Sequence, residues 1–193
     1  MDIPSNIFER RKRLAIYWYN KSSDLRGSAG ALWASMDTTR SKEITEELGL
    51  GKGFSMKIAT SPVYGMLCGM SLELLYKAIV VAKGEEPNTN SHKLSDLAKD
   101  AGVSVTVQQV GLLEILSEYI MWNGRYPVPK KHENMQHLND LSSKYLYDKK
   151  PFGKSYILRP NGALNWESFN MLWNEGHSML WSEGHSVYCE KCS

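Results

Sequence analysis

Apolar residues recur at three- and four-residue steps along most of the chain, the spacing of helices that each bury one face. From about Ser5 to Met36 the series Ile7, Phe8, Ala15, Trp18, Leu25, Ala29, Leu32 and Trp33 predicts helix, with Gly27 and Gly30 small enough to let a neighbouring helix approach. The stretch Asp37 to Thr60 is polar and carries Gly49, Gly51 and Gly53, so it is expected to be a connection with at most a helical turn around Glu43 to Leu48. Ser61 can cap and Pro62 can open the next helix, because a first-turn residue needs no N–H partner. That helix runs to about Lys83 and stops at Gly84. Its apolar residues, from Met66 and Leu67 to Val80 and Val81, cover nearly every side, which marks it as the central element.

The second half is punctuated more clearly. A short helix is expected from near Ser91, with Leu94, Leu97, Ala98 and Ala101 as its stripe and Gly102-Val103 as its glycine cap. Thr106 and Gln109 form a capping box for a helix that ends before Gly124. Pro127 and Pro129 interrupt, and Met135, Leu138, Leu141 and Tyr145 then support another helix. Lys149 to Gly162 reads as loop or a short extended piece. Asn165 caps a last helix, with Leu164 and Phe169 placed as a hydrophobic staple. The block Trp173 to Ser178 recurs as Trp181 to Ser186, a duplication expected to lengthen that helix. Helices with short connections and no firm strand predict an all-α fold, an antiparallel up-and-down bundle of about five main helices in one domain over residues 1–193.

Composition narrows the function without fixing it. The 193 residues are 42% hydrophobic and 23% charged, ordinary for a folded domain. A net charge of +2 provides no global basic field, so any nucleic-acid contact must rest on local patches. Three cysteines make no disulfide framework, and the first residues lack a signal-peptide layout. The uncharged run Ile58 to Leu72 is interrupted by Pro62, Gly65 and Gly69 and is too short to span a bilayer. A cytoplasmic protein without a membrane segment is expected.

Within the apolar central helix, Glu73 and Lys77 stand four apart in the favourable order for an ion pair. On spacing alone they are a surface pair on the helix's one wet strip. Their apolar neighbours imply partial burial, where an unpaired charge is costly.

The run Gly69-Met70-Ser71-Leu72-Glu73-Leu74-Leu75-Tyr76-Lys77-Ala78, then Ser91-His92-Lys93-Leu94-Ser95-Asp96-Leu97, and then Gly124-Arg125-Tyr126-Pro127, resembles HEPN domains in order and spacing over roughly residues 62–147. The resemblance implies a HEPN-like helical bundle that works as a homodimer and binds RNA or a nucleotide, often in toxin–antitoxin or anti-phage systems, with an antitoxin or defence protein as a further partner. No cofactor is implied. In ribonuclease members a glutamate and a lysine on the central helix, here Glu73 and Lys77, accompany an arginine followed after four to six residues by a histidine, here Arg125 and His132. Histidine would move a proton and arginine would steady the phosphate of a metal-independent endoribonuclease. Pro127 and Pro129 oppose that pairing, since they put Arg125 in a loop and His132 at best in a first helical turn. The structural alternative pairs Arg125 with Glu73 and leaves His132 solvated.

Other candidates carry two readings each. Lys130 and Lys131 either follow a phosphate backbone or are surface lysines. Tyr126 either stacks on a base or packs. His92, at a helix start, is expected to pack or cap, with nucleotide contact as its minor role. Cys189 and Cys192, with His185 and His177, have zinc-ligand spacing at the end of the chain, but a solvated tail is the plainer reading. The basic run Arg10 to Arg13 is expected to be a solvated helix face. A non-catalytic interaction module is a separate possibility, in which Trp166, Trp173 and Trp181 of the segment 164–193 engage a partner protein.

Overall fold

The computed structural model describes residues 5–153, 155–182 and 187–188. Among these the fold is all-α, with eight α-helices and one small hairpin. In chain order these are α1 (Ser5–Arg13), α2 (Ala15–Ser35), α3 (Thr38–Glu47), α4 (Met56–Ala82), α5 (Leu94–Ala101), α6 (Val107–Glu118), α7 (His132–Tyr145), β1 (Tyr147–Phe152), β2 (Ser155–Pro160) and α8 (Trp166–Leu180).

The central helix is α4, and it is longer at its start than the sequence suggests. Ser55, not Ser61, caps it by accepting from the Ile58 N–H, which leaves Pro62 inside the helix. A proline there removes one ladder bond. The carbonyl left without that partner belongs to Ile58, an exposed residue where solvent can replace it. Leu72, Leu75, Tyr76, Ala78 and Ile79 are fully buried along α4. Its length and composition would suffice to cross a membrane, but 78% of its most apolar window is buried against the other helices.

The expected first helix is two. Leu14 adopts extended backbone at the break, and its buried side chain joins the core. Trp18 Nε1 donates to the Lys12 carbonyl across the break at 3.0 Å. The Arg10 to Arg13 run closes α1, where cations meet the negative end of the helix dipole. Lys12 pairs with Glu86 and Arg13 with Glu9 on the surface.

A buried polar node joins α2, α4 and α8. Ser22 Oγ donates to the Ser71 carbonyl (2.7 Å), Ser71 Oγ to the Ser22 carbonyl (2.8 Å), and Trp173 Nε1 to Ser22 Oγ (3.1 Å). Each hydroxyl is satisfied, so the node fixes helix register without leaving an orphan group. A Cβ on Gly30 would come within 3.0 Å of Trp166, so this glycine admits α8 as expected, whereas Gly27 faces open space.

Two further local expectations differ from the structure, and two details go beyond them. Residues 38–47 form α3 because Asp37 caps them, accepting from the Thr39 and Arg40 N–H groups. The expected connection is thus largely helical. Residues 147–160 pair as an antiparallel hairpin, with Tyr147 opposite Pro160 and Phe152 opposite Ser155. The end of α6 passes into a π-helical turn, Tyr119–Asn123, which no sequence period reveals. Finally, α8 stops at Leu180 with Trp181 in its cap, so the second copy of the duplicated block does not continue it; residues 183–186 of that copy lie outside the described residues.

Candidate functional site

The site is built where the loop after α4 returns across that helix. Gly84 takes positive φ after α4, and an irregular loop with a turn at Thr89–Asn90 leads to Ser91 before α5 begins at Leu94. Two bonds fix this return. Lys77 Nζ donates to the Ser91 carbonyl at 3.2 Å, and the Leu94 N–H donates to Ser117 Oγ of α6 at 2.9 Å. His92 between them therefore has a defined place above α4.

Glu73 and Lys77 are buried, not a surface pair: their side chains are 10% and 3% exposed. Lys77 Nζ donates to Glu73 Oε1 at 2.6 Å, and Glu73 Oε2 lies 2.9 Å from His92 Nδ1. Each carboxylate oxygen thus has its own cationic or imidazole partner, the condition for a charge to be kept out of water. Since an ionised carboxylate only accepts, Nδ1 is the donor, and in a neutral imidazole Nε2 is then the acceptor. The His92 side chain is half exposed.

His92 forms part of a cleft of about 550 Å³ together with Met121, Trp122, Arg125, Tyr126, Val128, Pro129, Lys130 and Asn134. The π-helical turn shapes its far wall: Gly124 N–H bonds to the Tyr119 carbonyl and Tyr126 N–H to the Trp122 carbonyl. Gly124 is required here by close approach, since a Cβ would collide with Met66 Cβ. Trp122 Nε1 donates to Glu118 Oε2 at 2.6 Å, and Arg125 donates to the Met121 carbonyl at 2.7 Å. The Arg125 guanidinium lies 5.4 Å from the centre of the exposed Tyr126 ring. Extra residues of this kind inside a helix recur at functional sites because they re-aim the side chains that follow.

The expected site residues are sorted by this geometry. His92, Arg125, Tyr126 and Lys130 line one cleft. Glu73 and Lys77 lie behind its wall and reach it only through His92. Lys77 also borders a separate 260 Å³ cavity with Glu85, Glu86, Asn88 and Asp100. The Arg125–Glu73 pair does not form, because both Glu73 oxygens are engaged by Lys77 and His92. His132 is exposed at the first position of α7, Lys131 is exposed just before it, and neither lines the cleft. The histidine brought to Glu73 is the one at the α5 entrance. A carboxylate, a lysine and a histidine nineteen residues further on leave no spacing signal, because a loop joins them.

One face of the last helix is core. Trp173 is buried, Trp166 packs against the same cluster, and Trp181 is partly exposed. Arg26 lies over the Trp173 ring at 4.0 Å, and His177 stacks on that ring at 5.1 Å. Burial and Arg26 both push the His177 pKa down. His185, Cys189 and Cys192 lie outside the described residues. A third cavity of about 620 Å³, between α3 and the glycine loop, is lined by Lys42, Lys52 and Phe54 among others. Comparison with protein-family models, curated proteins and solved structures returns no match.

Proposed function

We propose that the cleft between His92 and Arg125 binds a nucleotide or a segment of RNA. The observation that carries this reading is the convergence of His92, held by buried Glu73, with Arg125, Tyr126 and Lys130 on one open cleft. Arginine and lysine suit phosphate, an exposed tyrosine suits a base face, and an imidazole with a free Nε2 suits a ribose hydroxyl. The resemblance to HEPN domains adds the setting: a homodimer acting in prokaryotic defence, with RNA as ligand and an antitoxin as a further partner. Anisotropy titration with labelled hexauridylate tests the reading. Arg125→Ala and Tyr126→Ala should each weaken binding about tenfold or more; unchanged affinity in both would overturn it.

The Glu73–His92 contact favours a second reading, a metal-independent endoribonuclease with His92 in the histidine role. Nε2 would take the proton of a 2′-hydroxyl, the 2′-oxygen would bond to phosphorus, and the bond from phosphorus to the 5′-oxygen would break. That leaving oxygen would take up a proton from solvent water, and Arg125 would offset the charge on the phosphate. His92→Ala should then abolish cleavage while hexauridylate still binds, and His132→Ala should cleave normally. Loss of cleavage in the His132 variant alone would return the role to that residue.

A further inference from the structure

The hairpin β1–β2 is exposed at every described position of both strands. Five large apolar side chains stand on it in water: Tyr147, Phe152, Tyr156, Ile157 and Leu158. A lone two-stranded ribbon is marginal in water, and among the described residues no further strand pairs with this one, while α7 meets β1 at its base. What holds it is its base, where the Asn161 N–H donates to the Leu146 carbonyl and Asn161 Nδ2 to the Tyr145 carbonyl, both at 3.0 Å. The ribbon is therefore presented by α7 while its faces are left free.

Its chemistry points to the ligand. Three cations, Lys149, Lys150 and Arg159, stand against one carboxylate, Asp148, which pairs across the strands with Arg159. The register places Tyr147, Lys149, Tyr156 and Leu158 on one face and Lys150, Phe152, Ile157 and Arg159 on the other, so each face mixes rings with cations. On the first face the Lys149 ammonium lies 4.9 Å from the centre of the Tyr156 ring. A second copy of the same ribbon would bring like charges together. A polyanion with stackable faces meets the cations and the rings at once.

We propose that β1–β2 is a binding surface for single-stranded nucleic acid, gripping the phosphates with Lys149, Lys150 and Arg159 and stacking bases on Tyr156 and Tyr147. It shares no lining residue with the His92–Arg125 cleft and does not depend on what that cleft binds. The test is anisotropy of labelled dodecauridylate across a salt series, with circular dichroism and sedimentation velocity as controls. The triple variant Lys149→Ala/Lys150→Ala/Arg159→Ala should keep its helical spectrum and bind more weakly, and its log–log salt slope should be shallower by about 2. Tyr156→Ala should bind about tenfold more weakly. The proposal is overturned if wild-type protein does not bind dodecauridylate, or if the triple variant binds with wild-type affinity and slope. It is also overturned if the variant's chief change is loss of an oligomer, which would make the ribbon a protein contact. Arg125→Ala alters the cleft and not the ribbon, so it should still bind dodecauridylate with a salt slope that the triple change reduces; complete loss of binding in Arg125→Ala would also overturn the proposal.

Discussion

Replacing Glu73 by leucine strands the Lys77 ammonium inside the bundle. In the wild type Lys77 Nζ has two acceptors, Glu73 Oε1 at 2.6 Å and the Ser91 carbonyl at 3.2 Å, and its side chain is only 3% exposed. After Glu73→Leu the Ser91 carbonyl is the one hydrogen-bond acceptor left of these two for a charge that is almost wholly buried. Removing one partner of a buried pair costs about 3–5 kcal/mol. For a chain of this size that corresponds to a melting temperature lower by about 10 °C. Lys77→Met should cost a similar amount, since it leaves the carboxylate with His92 alone. The double variant removes both charges and should be less destabilised than the two single losses added together, because neither charge is left uncompensated. Urea unfolding of all four proteins closes the cycle, with the slope checked for constancy. The reasoning is refuted if each single variant loses less than about 1 kcal/mol, the range of an exposed pair, or if the losses simply add.

Two further outcomes follow from the packing of α4. Gly69→Ala puts a Cβ within 2.9 Å of Ile120 and 3.0 Å of the Leu116 carbonyl, a backbone atom that cannot move aside cheaply; thermal melts should show a loss of about 1–3 kcal/mol, and a wild-type melt would contradict the close approach. Cys68 is fully buried and burial pushes its thiol up to about 12. The unfolded thiol ionises near its ordinary value, so the stability tied to the neutral form is complete below that value and is lost as pH rises toward 12. Stability measured from pH 8 upward should fall less steeply in Cys68→Ala than in wild type, and identical slopes would count against this assignment.

Much of the fold was legible where a local rule decides it. The Thr106–Gln109 capping box, the left-handed Gly102 cap and the Asn165 cap each appear at the residues that signal them. The start of α4 was not, because Ser61-Pro62 carries a helix-opening signal while Ser55 provides the actual cap. The hairpin escaped because residues 147–160 lack the alternation of a half-buried strand: neither face is buried, so no apolar–polar period was required. The geometry of the site was legible in half. Burial of Glu73 with Lys77 follows from their apolar helix, and the prolines leave Arg125 in a turn and His132 at the first position of α7. The role of His92 depends on a loop path across α4, fixed by the Lys77–Ser91 and Leu94–Ser117 bonds, which no periodicity encodes.

The central claim is that His92, oriented by Glu73, faces a ligand in the Arg125 cleft. Imidazole proton and nitrogen resonances of the chain's five histidines, followed by NMR during titration with hexauridylate, read this directly. The account predicts that the His92 signals move with saturation and that His177, packed on Trp173, stays in place; in Arg125→Ala the His92 shifts should require far more ligand. Saturable binding that moves His132 or His137 and leaves His92 unperturbed would contradict it.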